Sequence, residues 1–288
     1  MHPNPRRRQE IICEHVSPAA ARMVEIGALN GPTFAPAEHN VRFIDYATRE
    51  QLIQDTAANP AVDPARIVHV HYATPSTNYA DIVPDRFDIA IANHVIEHIP
   101  DLASWFTNIH AILDDGGLFF LSVPDKRYTF DYLKRETNIV DVVRAHTEGY
   151  TKPTAAMLFE HYYYRRPLEA AHCWSGEHEA IVAQPGMSIT DAWQNAIRSA
   201  QVYTSTHCHM FTKDSFVGLL GEMKQLGFAP FDIADIRDVD PGANEFHVVL
   251  KRDDSVDRIG RFGAFKVLAV GYLVTALDGF EAAFAIFS

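Results

Sequence analysis

Apolar residues recur through the first half of the chain in short runs, each followed by an acid, a glycine or a proline. Runs at 23–26, 41–45, 67–70, 87–92 and 117–123 have the length and content of buried strands. Helical spacing fills the gaps between them, notably at 48–56 and 101–113. In the latter, Leu102, Trp105, Phe106, Ile109 and Leu113 share one face, the stripe a helix needs to pack on a sheet. Asp114-Asp115-Gly116-Gly117 then supplies a stop and a turn. Strands alternating with helices predict a parallel, doubly wound α/β sheet.

The rhythm breaks at 127–205, a segment rich in aromatics and histidine with prolines at Pro153, Pro167 and Pro185. It reads as a largely helical insertion over the strand ends. The core resumes with an amphipathic helix at 212–226, capped by Thr212 and ended by Gly227. Strands at 231–236 and 245–250, paired as an antiparallel hairpin, complete a seven-stranded sheet. The expected organisation is an N-terminal extension (1–21), a core (22–126 and 206–252), the insertion (127–205) and a tail (253–288). The tail is apolar from Ala264 onward, but only 11 uncharged residues separate Lys266 from Asp278. A bilayer span needs roughly 20, so the tail reads as a helix packed on the domain or a partner subunit, with membrane-surface contact the alternative.

Composition narrows the class. A chain of 288 residues, 47% hydrophobic, can bury one full α/β core. A net charge of −12 argues against nucleic acid as the main partner, because phosphate binding needs a basic surface. Cys13, Cys173 and Cys208 form no disulfide framework and no C-x-x-C, which fits a reduced cytosolic protein. Arg6-Arg7-Arg8 precedes only a short apolar run, too little for a signal-peptide core.

The chemistry-bearing stretch is Met23-Val24-Glu25-Ile26-Gly27-Ala28-Leu29-Asn30-Gly31, followed by a second strand that stops on Asp45. Glycines let a backbone approach a nucleotide, and an acid ending the second strand takes ribose hydroxyls. The second glycine of a G-x-G-x-x-G is missing, which disfavours a dinucleotide and an NAD-dependent oxidoreductase. A second signal is Phe87-Asp88-Ile89-Ala90-Ile91-Ala92-Asn93-His94-Val95-Ile96-Glu97-His98-Ile99-Pro100-Asp101. A third is His207-Cys208-His209-Met210-Phe211-Thr212 before the last helix.

Together these motifs resemble the class I S-adenosylmethionine-dependent methyltransferases of the ubiquinone-biosynthesis-like superfamily, over roughly 22–126 and 207–252. Within it they are similar to a branch associated with glycan and polysaccharide synthesis. The resemblance implies a Rossmann-like fold and S-adenosylmethionine as cofactor. It places Glu25, Gly27, Ala28 and Gly31 at the methionine end of the cofactor and Asp45 and Tyr46 at the ribose. His71 or Tyr72 would lie beside adenine, with Asn93 and His94 beside the sulfonium. Two positions depart from the pattern: Leu29 stands where the family has its middle glycine, and His71 stands near where an acid meets the adenine amino group.

Methyl transfer is an in-line displacement that the enzyme aligns and shields from water. A hydroxyl acceptor, on a small molecule or glycan, must lose its proton, and histidine is the usual base. His94, His98 and His207 are the candidates, with His161 and His209 behind them. Similar ubiquinone-pathway O-methyltransferases hold a divalent metal near this motif through acids and a histidine. Glu97 and His98 match that set but His94 replaces an acid, so no metal is expected. His94-x-x-Glu97-His98 also matches inverted zinc proteases, which need both histidines on one turn of a sustained helix. Pro100 stands against that helix. A non-catalytic scaffold or partner subunit of the same fold is the other alternative.

Overall fold

All four residues of the first strand, β1 (Met23–Ile26), are buried, as a parallel strand covered on both faces requires. The computed structural model describes residues 5–255, so the apolar tail from Ala264 lies outside the described residues. Strand β1 sits inside a seven-stranded sheet with β2 (Val41–Asp45), β3 (Tyr72–Ala73), β4 (Phe87–Asn93), β5 (Leu113–Pro124), β6 (Phe231–Arg237) and β7 (Glu245–Arg252). The order is β3-β2-β1-β4-β5-β7-β6. The first five strands pair in parallel, and β7 runs antiparallel to both β5 and β6. The start of β7 therefore lies at the same edge as the ends of the parallel strands, with Glu245 opposite Pro124.

The helices are α1 (Pro5–His15), α2 (Arg49–Asp55), α3 (Tyr79–Ile82), α4 (Leu102–Ile112) and α5 (Ile139–Thr147). Then follow α6 (Ala155–Tyr164), α7 (Ala170–Ser175), α8 (His178–Val182), α9 (Ile189–Ser199) and α10 (Lys213–Gln225). Side chains alternate across the sheet, as the two-residue period of a strand dictates. Val24, Ala90, Phe119 and Leu121 join Trp105 and Phe106 of α4 and Phe216, Leu220 and Met223 of α10 in one apolar layer. Met23, Ile89, Ile91 and Phe120 face the other way and pack with Ile11 and Ile12 of α1. Val142 belongs to the first layer. Helix α5 is thus part of the sheet's cover, and the helical segment beyond it comprises α6 to α9. Among the described residues no helix is long and apolar enough to cross a membrane.

The expected Thr212 cap is present, and Asp101 caps α4. Asp101 accepts from Ser104 N at the start of α4, and Thr212 accepts from Ser215 N at the start of α10. Two expectations shift. The third strand is expected at 67–70 but forms at Tyr72–Ala73. Val68 N donates to Leu29 O at 2.9 Å, so this apolar stretch hydrogen-bonds to the first loop rather than to β2. The stop after α4 arrives earlier than expected: β5 starts at Leu113 directly after the helix. The Asp-Gly stretch becomes an irregularity within the strand, with Gly116 at φ +72° and the register shifting opposite Phe87–Ile89.

Candidate active site

Gly27 follows β1 at φ +68°. A Cβ there would lie 2.9 Å from Val95 Cγ2, so both conformation and space require glycine. Leu29 keeps a left-handed backbone at φ +46°, where a side chain costs roughly 1–2 kcal/mol. The loop thus retains a glycine-like shape at this position without the glycine. Gly31 has open space around it and closes a turn through its N–H to Ala28 O at 2.9 Å.

Glu25 is 1% exposed. Its carboxylate accepts from Thr33 N at 2.8 Å, Thr33 Oγ1 at 2.7 Å and Asn93 Nδ2 at 3.0 Å. Burial outweighs these donors and lifts its pKa to about 7. The network continues through Ser122, which donates to Asn93 Oδ1 at 2.9 Å and lies 3.0 Å from His247 Nδ1. It therefore crosses the ends of β1, β4, β5 and β7 and fixes the loop that Thr33 closes.

Asp45 ends β2, is nearly buried, and accepts from Tyr46 N at 2.8 Å. Burial raises its pKa to about 6. Tyr46 is half-exposed, donates to Asp55 at 2.9 Å and stacks on Tyr203 at 6.4 Å. His71 Nδ1 accepts from Phe43 N at 3.1 Å, and the Tyr72 hydroxyl donates to Asp85. Those polar groups are spent at the sheet edge.

The three candidate histidines come together, with different partners. His94 leaves β4 at φ +52° and places Nε2 2.5 Å from Glu245 Oε2 and Nδ1 3.5 Å from Glu97. Burial alone would depress its pKa, but the two carboxylates overrule it and raise it to about 9. The two carboxylates thus favour the imidazolium form of His94, in which neither ring nitrogen has a lone pair to act as base. Glu245 also takes Arg8 of α1 through bonds of 3.1 and 2.5 Å, and its cationic partners hold it near 2 against burial.

His207 lies on the segment before α10, whose Cys208 N donates to Glu97 O at 2.6 Å. That bond carries His207 to the end of β4, where its ring meets His98 edge-on at 4.7 Å. Asp131 Oδ2 is 2.5 Å from His207 Nδ1. Burial opposes the charge of Asp131, but His207 and Lys134 hold its pKa to about 2. An ionised Asp131 only accepts, so His207 carries its proton on Nδ1 and turns Nε2 toward Glu97. His98 has its pKa lowered by burial, and its Nδ1 lies 3.2 Å from Ser205 Oγ.

His209 and His161 stand apart. His209 is buried with Nδ1 3.3 Å from Thr137, and burial lowers it to about 4. His161 packs against Phe130 and is likewise lowered to about 4 by burial. The sequence reading missed Thr33, Asp131 and Glu245. Only their meeting with Glu25, His207 and His94 in the fold marks them.

A cavity of about 240 Å³ opens beside this cluster, lined by His94, Tyr128, Phe130, Leu168, Glu169 and His207 among others. A larger, open hollow of about 460 Å³, between Tyr164, Arg166 and Met187, contains none of these groups. The inverted zinc-protease arrangement is not formed. Ile96–His98 is a single 3-10 turn, and His94 is held by Glu245.

A family model described as a methyltransferase domain matches residues 6–230. The chain is similar to the solved structure of an S-adenosylmethionine-dependent methyltransferase from Clostridium acetobutylicum, at 10% identity and TM-score 0.45 over 87% of this chain and 93% of that one. A second, from Mesorhizobium loti, has 14% identity and TM-score 0.44 over 84% and 96%. A 1,6-didemethyltoxoflavin-N1-methyltransferase from Burkholderia thailandensis has 16% identity and TM-score 0.43 over 87% and 78%. No curated protein matches the chain.

Proposed function

The chain belongs to the class I S-adenosylmethionine-dependent methyltransferase family, and we propose that it methylates a hydroxyl oxygen of a small molecule or sugar. The observation that carries this reading is the cavity of about 240 Å³ beside His94 and His207, at the edge where β4 and β5 end. Glu25, Gly27, Ala28 and Gly31 then face the methionine end of the cofactor. Asp45 and Tyr46 take the ribose, and the rings of His71 and Tyr72 flank adenine. Asn93 and the backbone of His94 lie beside the sulfonium.

The acceptor hydroxyl enters past Tyr128 and Phe130, whose rings suit a sugar face or an apolar body. Its oxygen attacks the methyl carbon as the carbon–sulfur bond breaks, giving a methyl ether and S-adenosylhomocysteine. The released proton passes to a neutral imidazole. Glu245 and Glu97 favour the protonated form of His94, so that proton is assigned to His98 or His207 at the same strand edge. The apolar layers around the cluster exclude water, and alignment supplies most of the rate.

Calorimetric titration with S-adenosylhomocysteine tests the cofactor assignment, with Asp45→Ala beside the wild type. Binding weakened at least tenfold in the variant, about 1.4 kcal/mol, supports the site and justifies screening sugar and phenol acceptors. Absence of binding to folded wild-type protein would sink the enzyme reading in favour of a scaffold.

A further inference from the structure

The hollow of about 460 Å³ between the end of α6 and the start of α9 holds a cation that methyl transfer does not use. Arg166 lines it. In a chain of net charge −12, Arg8, Arg127 and Arg135 each hold a carboxylate. Arg166 has no acid partner among the described residues. Its Nη1 donates to two carbonyl oxygens instead, Tyr163 O at 3.1 Å and Arg165 O at 2.9 Å. Its Nε is buried and donates to nothing among the described residues. Gly186 makes room for this group, since a Cβ there would lie 2.1 Å from Nη1 and 2.7 Å from Cζ.

A guanidinium fork matches a carboxylate or phosphate with two parallel bonds. The carbonyls take Nη1 and leave the edge made by Nε and Nη2 for an oxyanion. Nε is out of reach of water here, so the side chain must turn slightly for both bonds to form. Around the cation stand Leu133, Tyr164, Met187 and Ile189, which are 37%, 37%, 38% and 63% exposed. Large apolar side chains left this open around one cation suit a ligand that is apolar beyond its charge. We propose that this hollow binds a small organic anion, a carboxylate or phosphate carried on an apolar body. The hollow shares no lining residue with the acceptor cavity. One stretch of backbone joins the two. Arg166 N donates to Phe130 O at 3.4 Å and Arg166 O accepts from Leu168 N at 2.7 Å, while Phe130 and Leu168 line the acceptor cavity. An anion held by Arg166 therefore bears on one wall of that cavity.

The site uses none of the cofactor or base residues, so it stands or falls apart from the methyl-transfer reading. The test titrates the full, isotope-labelled chain with phenyl phosphate and with benzoate and follows backbone amide shifts by NMR. Inorganic phosphate is the anion without a body, and benzyl alcohol is the body without an anion. The expected result is saturable shifts at Gly186, Met187 and Ile189 with at least one aromatic anion, at a Kd of about 1 mM or tighter. Both controls should bind at least tenfold more weakly, and the stronger of the two anions tells carboxylate from phosphate. Arg166→Gln should weaken binding at least tenfold. Gly186→Val, which displaces the guanidinium and keeps its charge, should weaken it likewise, and Arg198→Gln on α9 should not. The comparison of probes on wild-type protein needs no variant to fold. No saturable shift at tens of millimolar of either anion, or shifts confined to Thr129 and Ala170 of the acceptor cavity, would overturn the proposal. So would a control that binds as tightly as the aromatic anions, or an Arg166→Gln variant that binds like wild type.

Discussion

Arg8 on the N-terminal helix and Glu245 at the start of β7 form a fully buried ion pair across 237 residues of chain, with N–O contacts of 3.1 and 2.5 Å. The side chains are 5% and 4% exposed. The pair fixes α1 against the edge of the sheet that carries the site. Gln9 of the same helix donates to Thr33 O at 2.5 Å, so α1 also holds the loop that Glu25 organises. The first helix is thereby part of the site's frame.

Replacing Arg8 by Met should therefore destabilise the protein, by less than a fully orphaned charge would. Removing one partner of a buried pair typically costs about 3–5 kcal/mol. Here His94 remains on Glu245 and compensates part of the charge, so about 2 kcal/mol is expected from urea unfolding. The double variant Arg8→Met, Glu245→Gln should recover part of that loss. A single variant as stable as wild type would show that α1 is not held through this pair.

Glu25 gives stability a pH dependence of unusual sign. Its folded pKa lies near 7 because of burial, above the ordinary 4.5. The folded state then binds the proton more tightly than the unfolded chain. Stability from this group is fully present below pH 4.5 and is lost as pH rises toward 7, by on the order of 3 kcal/mol. Asp45, raised to about 6, adds in the same direction. Glu25→Gln should flatten the decline in unfolding free energy of ligand-free protein between pH 5 and 7.5. An unchanged slope in that variant would place the titration elsewhere.

The order of elements was legible because buried parallel strands leave short continuous apolar runs and amphipathic helices a spacing of three to four. Where a backbone donor found a competing acceptor, periodicity misled. Ile67 and Val68 are buried as a strand would be, yet Val68 N goes to Leu29 O. The site was legible in part for the same reason. Glu25, Asp45 and Asn93 stand at strand ends, and a strand end is visible in the pattern. Asp131 lies in an irregular segment, and Glu245 looks like the first residue of an edge-side strand. Their meeting with His207 and His94 depends on tertiary register, which no local pattern encodes. The raised pKa of His94 arises from its carboxylate partners, Glu245 among them, so it too was out of reach.

The first loop offers a test in which two neighbouring positions should respond very unequally. Gly27→Ala forces a Cβ to 2.9 Å from Val95 Cγ2 in a backbone with φ +68°. It should destabilise by roughly 1–3 kcal/mol and weaken S-adenosylhomocysteine binding with it. Leu29 already sits at φ +46° and is half-buried. Leu29→Gly releases about 1–2 kcal/mol of left-handed strain. It gives back about 0.5–1 kcal/mol through the entropy of the unfolded chain, and some packing besides. The net change in unfolding free energy should fall within about 0.5 kcal/mol of zero, where an ordinary half-buried Leu→Gly would cost well over 1 kcal/mol. Equal, large losses at both positions would mean that Leu29 is held by packing rather than tolerated by the loop, and that its left-handed backbone is not a substitute for the missing glycine.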